Sequence, residues 1–343
     1  MSLVTPILED AIPSIPRVGP PKEMISVRVE GDTTYVRINS SSLGVIQECM
    51  RKSQYLLDER WHSDNESPAT IFGGAIHKAL EVYYTGNPED RVLPDYEQME
   101  LMSYGHKVKK EETDLCLRAT RAFISGAAAL NALPETDKRS IQNGVYILYH
   151  YFKSFIDDPY VALVDEAGPL VERDFTFRLY SDEYLVIDYF GRIDLVVKHI
   201  KSGEVFVTDH KTSSVVGADF YNRLKPNHQY TGYLLGAIET LGIKPAGFLV
   251  NCLQVKAKPV TARGTPPNFP RQITTRDADD FEEFRAAVVD AVGAYLSAKS
   301  QEIWPLGYVN GCAMYGGCTF LSVCSAPKSL RQNVLKAKFT RNT

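Results

Sequence analysis

The stretch 191-GRIDLVVKHIKSGEVFVTDHKTSS-214 consists of two apolar runs that predict neighbouring β-strands. Both runs carry charged residues, because Asp194 lies in the first run and Asp209 and Lys211 lie in the second. An ionised carboxylate that is buried without a positive partner costs several kcal/mol. These carboxylates are therefore expected either to face water or to share a cation.

The connection between the two runs determines which residues meet. Ser202-Gly203 is typical of a two-residue hairpin turn. Such a turn places Asp194 opposite Lys211 and makes Asp209 the diagonal neighbour, so that all three side chains lie on one sheet face. A slip of one residue in the register would separate them.

Two interpretations of this sheet face remain open. Two nearby carboxylates can bind one divalent cation, and oxygen ligands favour Mg²⁺ or Mn²⁺. Lys211 is then placed to orient a water molecule or to stabilise charge on a phosphate under attack. In the alternative, Asp194 and Lys211 form an ion pair on a half-exposed sheet and have no catalytic role.

Two further motifs fall on predicted helices. His77 ends the segment 73-GGAIH-77, whose small residues allow close helix packing, and its imidazole can supply another metal ligand. Gln229 and Tyr233 lie one helical turn apart, where an amide and a phenol can hold a nucleic-acid strand. Each motif alone is weak, since a lone histidine on an apolar helix is more often a core or capping residue.

The composition limits the classes of protein that fit. The 343 residues are 44% hydrophobic, which supports one large α/β domain or two smaller ones. The net charge of -4 gives no overall basic signature, so a nucleic-acid partner needs a local positive patch. One such patch is predicted in the acid-free segment 240–276, where we select Lys256, Lys258 and Arg263 as DNA-binding candidates, with a solvated hairpin tip as the alternative.

The sequence has neither a membrane-spanning apolar run nor the pattern of a signal peptide, which predicts a cytoplasmic protein. In that compartment the six cysteines are expected to be reduced. Cys116 and Cys252 are isolated in apolar surroundings and are predicted to be core residues. The other four are Cys49, on a predicted early helix, and the cluster of Cys312, Cys318 and Cys324.

The pattern of the chain predicts its organisation. It comprises a Pro-rich extended arm at 1–25, a strand at 27–38 followed by a helix that begins at Asn39–Ser42, a mainly helical region at 87–160, strands from about 170 to 210, helices at 228–242 and 277–301, and a basic tail at 328–343. The basic, acid-free composition of the tail is compatible with disorder.

Taken together and in this order, the motifs G-x-x-x-H (ending at His77), G-x-x-D (ending at Asp194), D-x-K (Asp209 to Lys211) and Q-x-x-x-Y (Gln229 to Tyr233) resemble the RecB-like branch of the PD-(D/E)XK nucleases. The resemblance implies a restriction-endonuclease-like α/β core, with a central mixed sheet flanked by helices. It implies a single nuclease domain over 26–327 with a helical insertion at about 87–160, a catalytic sheet at about 170–235 and a cysteine cluster at 312–324.

The resemblance also implies the roles of residues. Mg²⁺ or Mn²⁺ would be bound by His77, Asp194, Asp209 and the backbone carbonyl of His210. Lys211 would act in catalysis, and Gln229 and Tyr233 would lie near the DNA.

A subset of this family carries an iron–sulfur cluster that is bound by one cysteine before the nuclease core and three after it. Cys49, Cys312, Cys318 and Cys324 resemble that set, which implies a 4Fe–4S cluster. Bacterial members more often have two residues between the first two of the late cysteines, whereas five separate each pair here. A four-cysteine zinc site therefore remains the alternative.

The expected function is metal-dependent hydrolysis of DNA by an exonuclease in DNA repair, recombination or phage DNA processing, in a bacterial or phage-infected cytosol. The sequence lacks the P-loop G-x-x-x-x-G-K-[ST], so a helicase is an expected partner, alongside a recombinase or a single-strand-binding protein. The alternative is an accessory nucleic-acid-binding subunit of a DNA-processing complex, as in CRISPR adaptation.

Overall fold

The protein is described by a computed structural model that covers residues 24–63, 66–259, 265–307, 312 and 317–341. The strands are β1 (Ile25–Glu30), β2 (Thr33–Ile38), β3 (Trp61–His62), β4 (Tyr160–Ala162), β5 (Val164–Asp165), β6 (Gly168–Pro169), β7 (Val171–Ser181), β8 (Leu185–His199), β9 (Val205–Ser213), β10 (Gly247–Gln254), β11 (Arg271–Thr274) and β12 (Thr340–Arg341). The helices are α1 (Ser40–Glu48), α2 (Met50–Ser53), α3 (Pro68–Thr85), α4 (Tyr96–Ser103), α5 (Leu115–Gly126), α6 (Ile141–Phe155), α7 (Ala218–Tyr221), α8 (His228–Leu241), α9 (Ala278–Gln301), α10 (Leu321–Cys324) and α11 (Arg331–Lys338).

Eight strands form one mixed sheet. Its main path is β1-β2-β8-β9-β10-β11, and β4 and β7 also pair with β8. The pairs β2–β8 and β9–β10 are parallel, whereas the other pairs are antiparallel. Strand β8 is therefore the centre of the sheet, because four strands hydrogen-bond to it.

Helices cover both faces of this sheet, and alternation along the strands supplies one core to each face. On one face α8 and α9 pack over a core that includes Val207 and Phe248. On the other face α3, α5 and α6 enclose a core that includes Phe206 and Leu249. The prediction of a central mixed sheet flanked by helices is confirmed.

The β8–β9 hairpin has a longer turn than the sequence predicted. The ladder pairs Leu195 with Thr208, and residues 200–203 form the connection, with φ of 76° at Gly203. Four-residue loops with a left-handed glycine are a common hairpin class.

The predicted pairing of Asp194 with Lys211 is consequently wrong. Continuing the observed ladder by one residue places Asp194 opposite Asp209. The register differs from the predicted one by two residues, so the alternation is preserved and Asp194, Asp209 and Lys211 keep a common face.

Two further predictions near the start of the chain are corrected. The strand predicted at 27–38 is the hairpin β1–β2, because Gly31 adopts a φ of 60° and turns the chain. Cys49 does not lie within a helix but in an extended break between α1 and α2, with φ of -164°. Contacts with a distant loop favour the break, since Arg51 N donates to the Pro305 carbonyl at 2.9 Å.

The ends of the chain also differ in part from expectation. Strand β1 begins at Ile25, a residue that the sequence assigned to the arm, and residues 1–23 lie outside the described part. The basic tail is ordered over 328–341, where Leu335 and Phe339 pack into a small core with Trp61. Strand β12 pairs with β3, so apolar contacts and a ladder override the basic composition.

None of the helices in the described residues is long and apolar enough to cross a membrane. Cys116 and Cys252 are fully buried, in agreement with their predicted place in the core.

Candidate active site

Strand β9 positions one carboxylate and one ammonium group side by side. The Asp209 side chain is 2% exposed, and its Oδ1 accepts hydrogen bonds from Lys211 Nζ at 2.9 Å and from Gln229 Nε2 at 3.2 Å. Gln229 Oε1 accepts from the same ammonium at 3.2 Å. Helix α8 therefore fixes both the carboxylate and the lysine through one amide.

The second carboxylate, Asp194, lies on β8 and contacts His77 of helix α3. Its Oδ2 accepts from the backbone N–H of His210 at 3.0 Å and lies 3.3 Å from His77 Nδ1. Burial and the negative charge of Asp209 raise the pKa of Asp194. The site is therefore short of positive charge around Asp194.

Glycines allow these elements to approach one another. A Cβ at Gly191 would lie 2.7 Å from the Phe175 ring and 3.2 Å from the Tyr233 ring. A side chain at this position would therefore push strand β8 away from helix α8. A Cβ at Gly73 would lie 3.3 Å from Thr212 Oγ1, which is tight. The first residues of G-x-x-D and G-x-x-x-H are thus explained by packing.

Sequence reasoning missed Glu172. Its ligand oxygen lies within 4.8 Å of ligand atoms of His77 and Asp194, a spacing that could hold a metal ion. Neighbouring pairs of the β7–β8 ladder place Glu172 beside Asp194, and Glu172 adopts a φ of 49°, which L-residues rarely do. The available signal was a charged residue in the apolar run that precedes G-x-x-D.

The oxygen donors at this site fit a hard divalent cation. Asp209 Oδ2 is buried and lies 2.8 Å from Lys211 Nζ, yet it accepts no well-directed hydrogen bond from the described residues. Such an atom is a ready ligand, because a buried carboxylate oxygen without a donor is unfavourable. The structure groups Glu172, rather than Asp209, with His77 and Asp194, and Asp209 lies beyond them beside Lys211.

The other nucleic-acid candidates are more dispersed. Tyr233 is 9% exposed, and burial raises its pKa to about 12. Lys258 pairs with Glu100 at 2.6 Å, and Lys256 hydrogen-bonds to Thr265. Arg263 lies outside the described residues.

The four cysteines that the sequence grouped as cluster ligands lie together in the structure. Cys49, Cys312, Cys318 and Cys324 line one pocket together with Lys52 and Phe320. Cys49 Sγ accepts a hydrogen bond from Gly307 N at 3.1 Å, and a Cβ at Gly307 would lie 2.8 Å from the Cys49 Cβ. Burial raises the pKa values of Cys318 and Cys324, while Lys52 and Arg331 oppose this effect at the two thiols, respectively. We call this group the cysteine site.

Comparison with known proteins identifies the family of this chain. No curated protein matches the chain. Among solved structures, the chain is similar to a candidate exonuclease from Eubacterium rectale, with 14% identity and a TM-score of 0.43 over 84% of this chain and 88% of that one. The model of the PD-(D/E)XK nuclease superfamily matches residues 37–325, a range that holds the whole mixed sheet from β8 to β11 and every candidate ligand described above. The chain is therefore a member of the PD-(D/E)XK nuclease superfamily, with its restriction-endonuclease-like fold.

Proposed function

We propose that this chain is a Mg²⁺- or Mn²⁺-dependent deoxyribonuclease that acts as an exonuclease. The observation that carries the proposal is the buried Asp209 carboxylate, which has one oxygen without a directed donor and the Lys211 ammonium 2.8 Å away. A buried carboxylate with one oxygen that lacks a directed donor, next to a fixed ammonium, suits metal-assisted hydrolysis of a phosphodiester.

The proposed metal ligands are His77, Asp194, Asp209 and the carbonyl of His210, and we add Glu172 because of its proximity to His77 and Asp194. A bound cation would polarise the scissile phosphate and lower the pKa of an attacking water molecule. Stabilisation of charge and contact with DNA are proposed for side chains of the protein, which must be held in place before the substrate binds.

Lys211 is the proposed catalytic ammonium. Its Nζ is held between Asp209 and Gln229, so it is restricted before the substrate binds. From that position it would stabilise negative charge on the phosphate or orient the attacking water molecule.

The proposed DNA contacts are Gln229, Tyr233, Lys256, Lys258 and Arg263. Gln229 is supported by its hydrogen bonds to Asp209 and Lys211, the residues proposed to act on the phosphate. Lys258 would have to exchange Glu100 for a phosphate. These lysines and arginines would contribute through the release of counterions.

The cysteine site is proposed to bind a 4Fe–4S cluster, with Zn²⁺ as the alternative. Four thiols around one pocket and the Gly307 N–H donated to Cys49 support a cluster, because hydrogen bonds to sulfur stabilise thiolate ligands. The cluster would cross-link the first helices to the end of the nuclease domain, which we propose to span 26–327 with the tail packed against it. We also propose a cytoplasmic location, in which cysteines are kept reduced.

We further propose roles in DNA repair, recombination or phage DNA processing, beside a helicase, a recombinase or a single-strand-binding protein. The biochemical core is tested by incubating end-labelled linear DNA and closed circular DNA with the anaerobically purified protein. Mg²⁺ or Mn²⁺ should support release of label from linear DNA, EDTA should stop it, and circles should persist. Cleavage in EDTA would refute metal dependence, and cleavage of circles would refute a pure exonuclease.

A further inference from the structure

A chain of buried polar side chains lies behind the proposed metal site. His210 stands between Asp209 and Lys211 in β9, and its imidazole points to the opposite face of the sheet. There the ring stacks on Tyr84 with centroids 5.6 Å apart and meets the edge of His77 at 6.0 Å. His210 is 3% exposed, so its polar ring atoms need partners within the protein.

Asn251 supplies that partner. It is the direct neighbour of His210 in the parallel β9–β10 ladder, and its Nδ2 lies 2.8 Å from His210 Nδ1. The orientation of the amide is set by Arg271, whose Nε donates to Asn251 Oδ1 at 3.3 Å. Nδ2 is then the donor and His210 Nδ1 the acceptor, which fixes the neutral tautomer with the proton on Nε2.

Arg271 is itself held on several sides. It makes two bonds of 2.6 Å to Asp158, whose side chain is fully buried, and its guanidinium lies 3.7 Å from the centre of the Phe155 ring. Tyr84 and Tyr151 accept further bonds from Nη2 at 3.0 and 3.4 Å. A paired and fully hydrogen-bonded ion pair of this kind has few alternative positions.

The two faces of β9 are connected through one peptide. The backbone N–H of His210 donates to Asp194 on the front, while the His210 imidazole is held by Asn251 on the back. A shift of β9 at His210 would therefore move Asp209, Lys211 and the His210 carbonyl together.

We infer that Asn251 and Arg271 are positioning residues, which fix the metal site by locking the His210 side chain from behind. This inference rests on the proposed function. Arg271 belongs to the acid-free segment 240–276, for which the sequence left both a DNA-binding loop and a solvated hairpin tip open, and contact with a phosphate is the competing role. Its side chain is 11% exposed and already bonded to Asp158, Tyr84, Tyr151 and Asn251, which favours the positioning role.

The primary test is Asn251→Leu, which removes the amide while keeping the number and branching of the side-chain heavy atoms, and which leaves the Arg271–Asp158 ion pair intact. Outer partners of metal ligands typically change affinity or activity by about 10- to 100-fold when they are replaced. We expect Mn²⁺ affinity in calorimetry and kcat each to fall about tenfold or more, with KM for DNA unchanged. The matched control is Tyr83→Phe, which deletes a buried hydroxyl on helix α3 that donates to the Phe155 carbonyl.

Arg271→Met separates the two roles of the arginine. Positioning predicts weaker Mn²⁺ binding with an unchanged salt slope of DNA binding, whereas a phosphate contact predicts a smaller slope with intact Mn²⁺ binding. The second result, or wild-type Mn²⁺ affinity in Asn251→Leu, would overturn the inference. If the Arg271 variant does not fold, Asn251→Leu alone decides.

The proposed function fails in a different way. A wild-type protein that binds no Mn²⁺ and cleaves no DNA would refute the proposed nuclease itself. Wild-type protein that does both, combined with an unaffected Asn251→Leu variant, would refute only the positioning role.

Discussion

The proposed metal site and the cysteine site are assembled in opposite ways. Asp194 and Asp209 lie on adjacent strands of one hairpin, and a single amide from α8 holds Asp209 and its lysine. Cys49 instead comes from a break between two short helices, and it meets a backbone N–H that lies 258 positions away. The first site is thus a property of a continuous sheet, whereas the second depends on contacts between distant segments.

The largest expected effect concerns the sheet. Asp209→Asn should reduce cleavage on the order of a thousandfold, because several kcal/mol of metal-based stabilisation is lost while the hairpin is unchanged. Initial rates on end-labelled DNA with Mn²⁺, beside circular dichroism, measure both parts. Asp174→Asn is the matched control, since Asp174 is an exposed acid paired with Arg192. Wild-type turnover in Asp209→Asn would remove Asp209 from the site.

Replacing a cysteine of the cysteine site should lower both the metal content and the stability of the protein, whereas Asp209→Asn should leave the fold unchanged. Anaerobic protein is expected to be brown and to contain iron and acid-labile sulfide, and Cys49→Ser should be colourless and less stable to heat. Cys116→Ser, in the core, should keep the colour. Stoichiometric zinc without iron would select the zinc site, and full metal content in Cys49→Ser would contradict the assignment of Cys49.

Glu172→Gln sharpens the boundary of the sheet site. We expect Mn²⁺ affinity to fall about tenfold in calorimetry, because a neutral amide is a weaker ligand than a carboxylate. Glu166 lies at an exposed turn shortly before Glu172 in the chain, and Glu166→Gln should leave the Mn²⁺ affinity unchanged. Equal affinities in the two variants would return Glu172 to the role of a strand residue without a metal.

A further expected effect is a dependence of stability on pH in the absence of metal. The pKa of Asp194 is raised above its ordinary value of 3.8 by burial and by Asp209, so the folded state binds this proton more tightly than the unfolded state. Stability in EDTA should therefore fall as the pH rises from about 4 through the raised pKa, by at most about 1.4 kcal/mol per pH unit. Thermal melts of Asp194→Asn should lack this slope, and identical slopes would refute the shift.

The sequence was most informative where function depends on neighbours along the chain. Alternation within β8 and β9 brought Asp194, Asp209 and Lys211 to one face, even though the turn was two residues longer than predicted. Glu172 was missed because its closeness to Asp194 depends on pairing with β7 and on a left-handed backbone, and neither is visible in composition.

The same limit explains the other differences. The break at Cys49 depends on bonds to residues 304–307, and the order of the tail depends on pairing between β12 and β3. The buried network joins Tyr84, Asp158, Asn251 and Arg271 from separate elements, so none of its members stands out in the local sequence.

The pairing of β12 with β3 also orders events during synthesis. A chain emerging from the ribosome can complete β8, β9 and β10 long before Thr340 and Arg341 are made. The late thiols of the cysteine site, Cys312, Cys318 and Cys324, are likewise made only after β11. A chain that stops after β11 and before Cys312 would therefore carry the sheet strands β1 to β11 and only one of the four thiols.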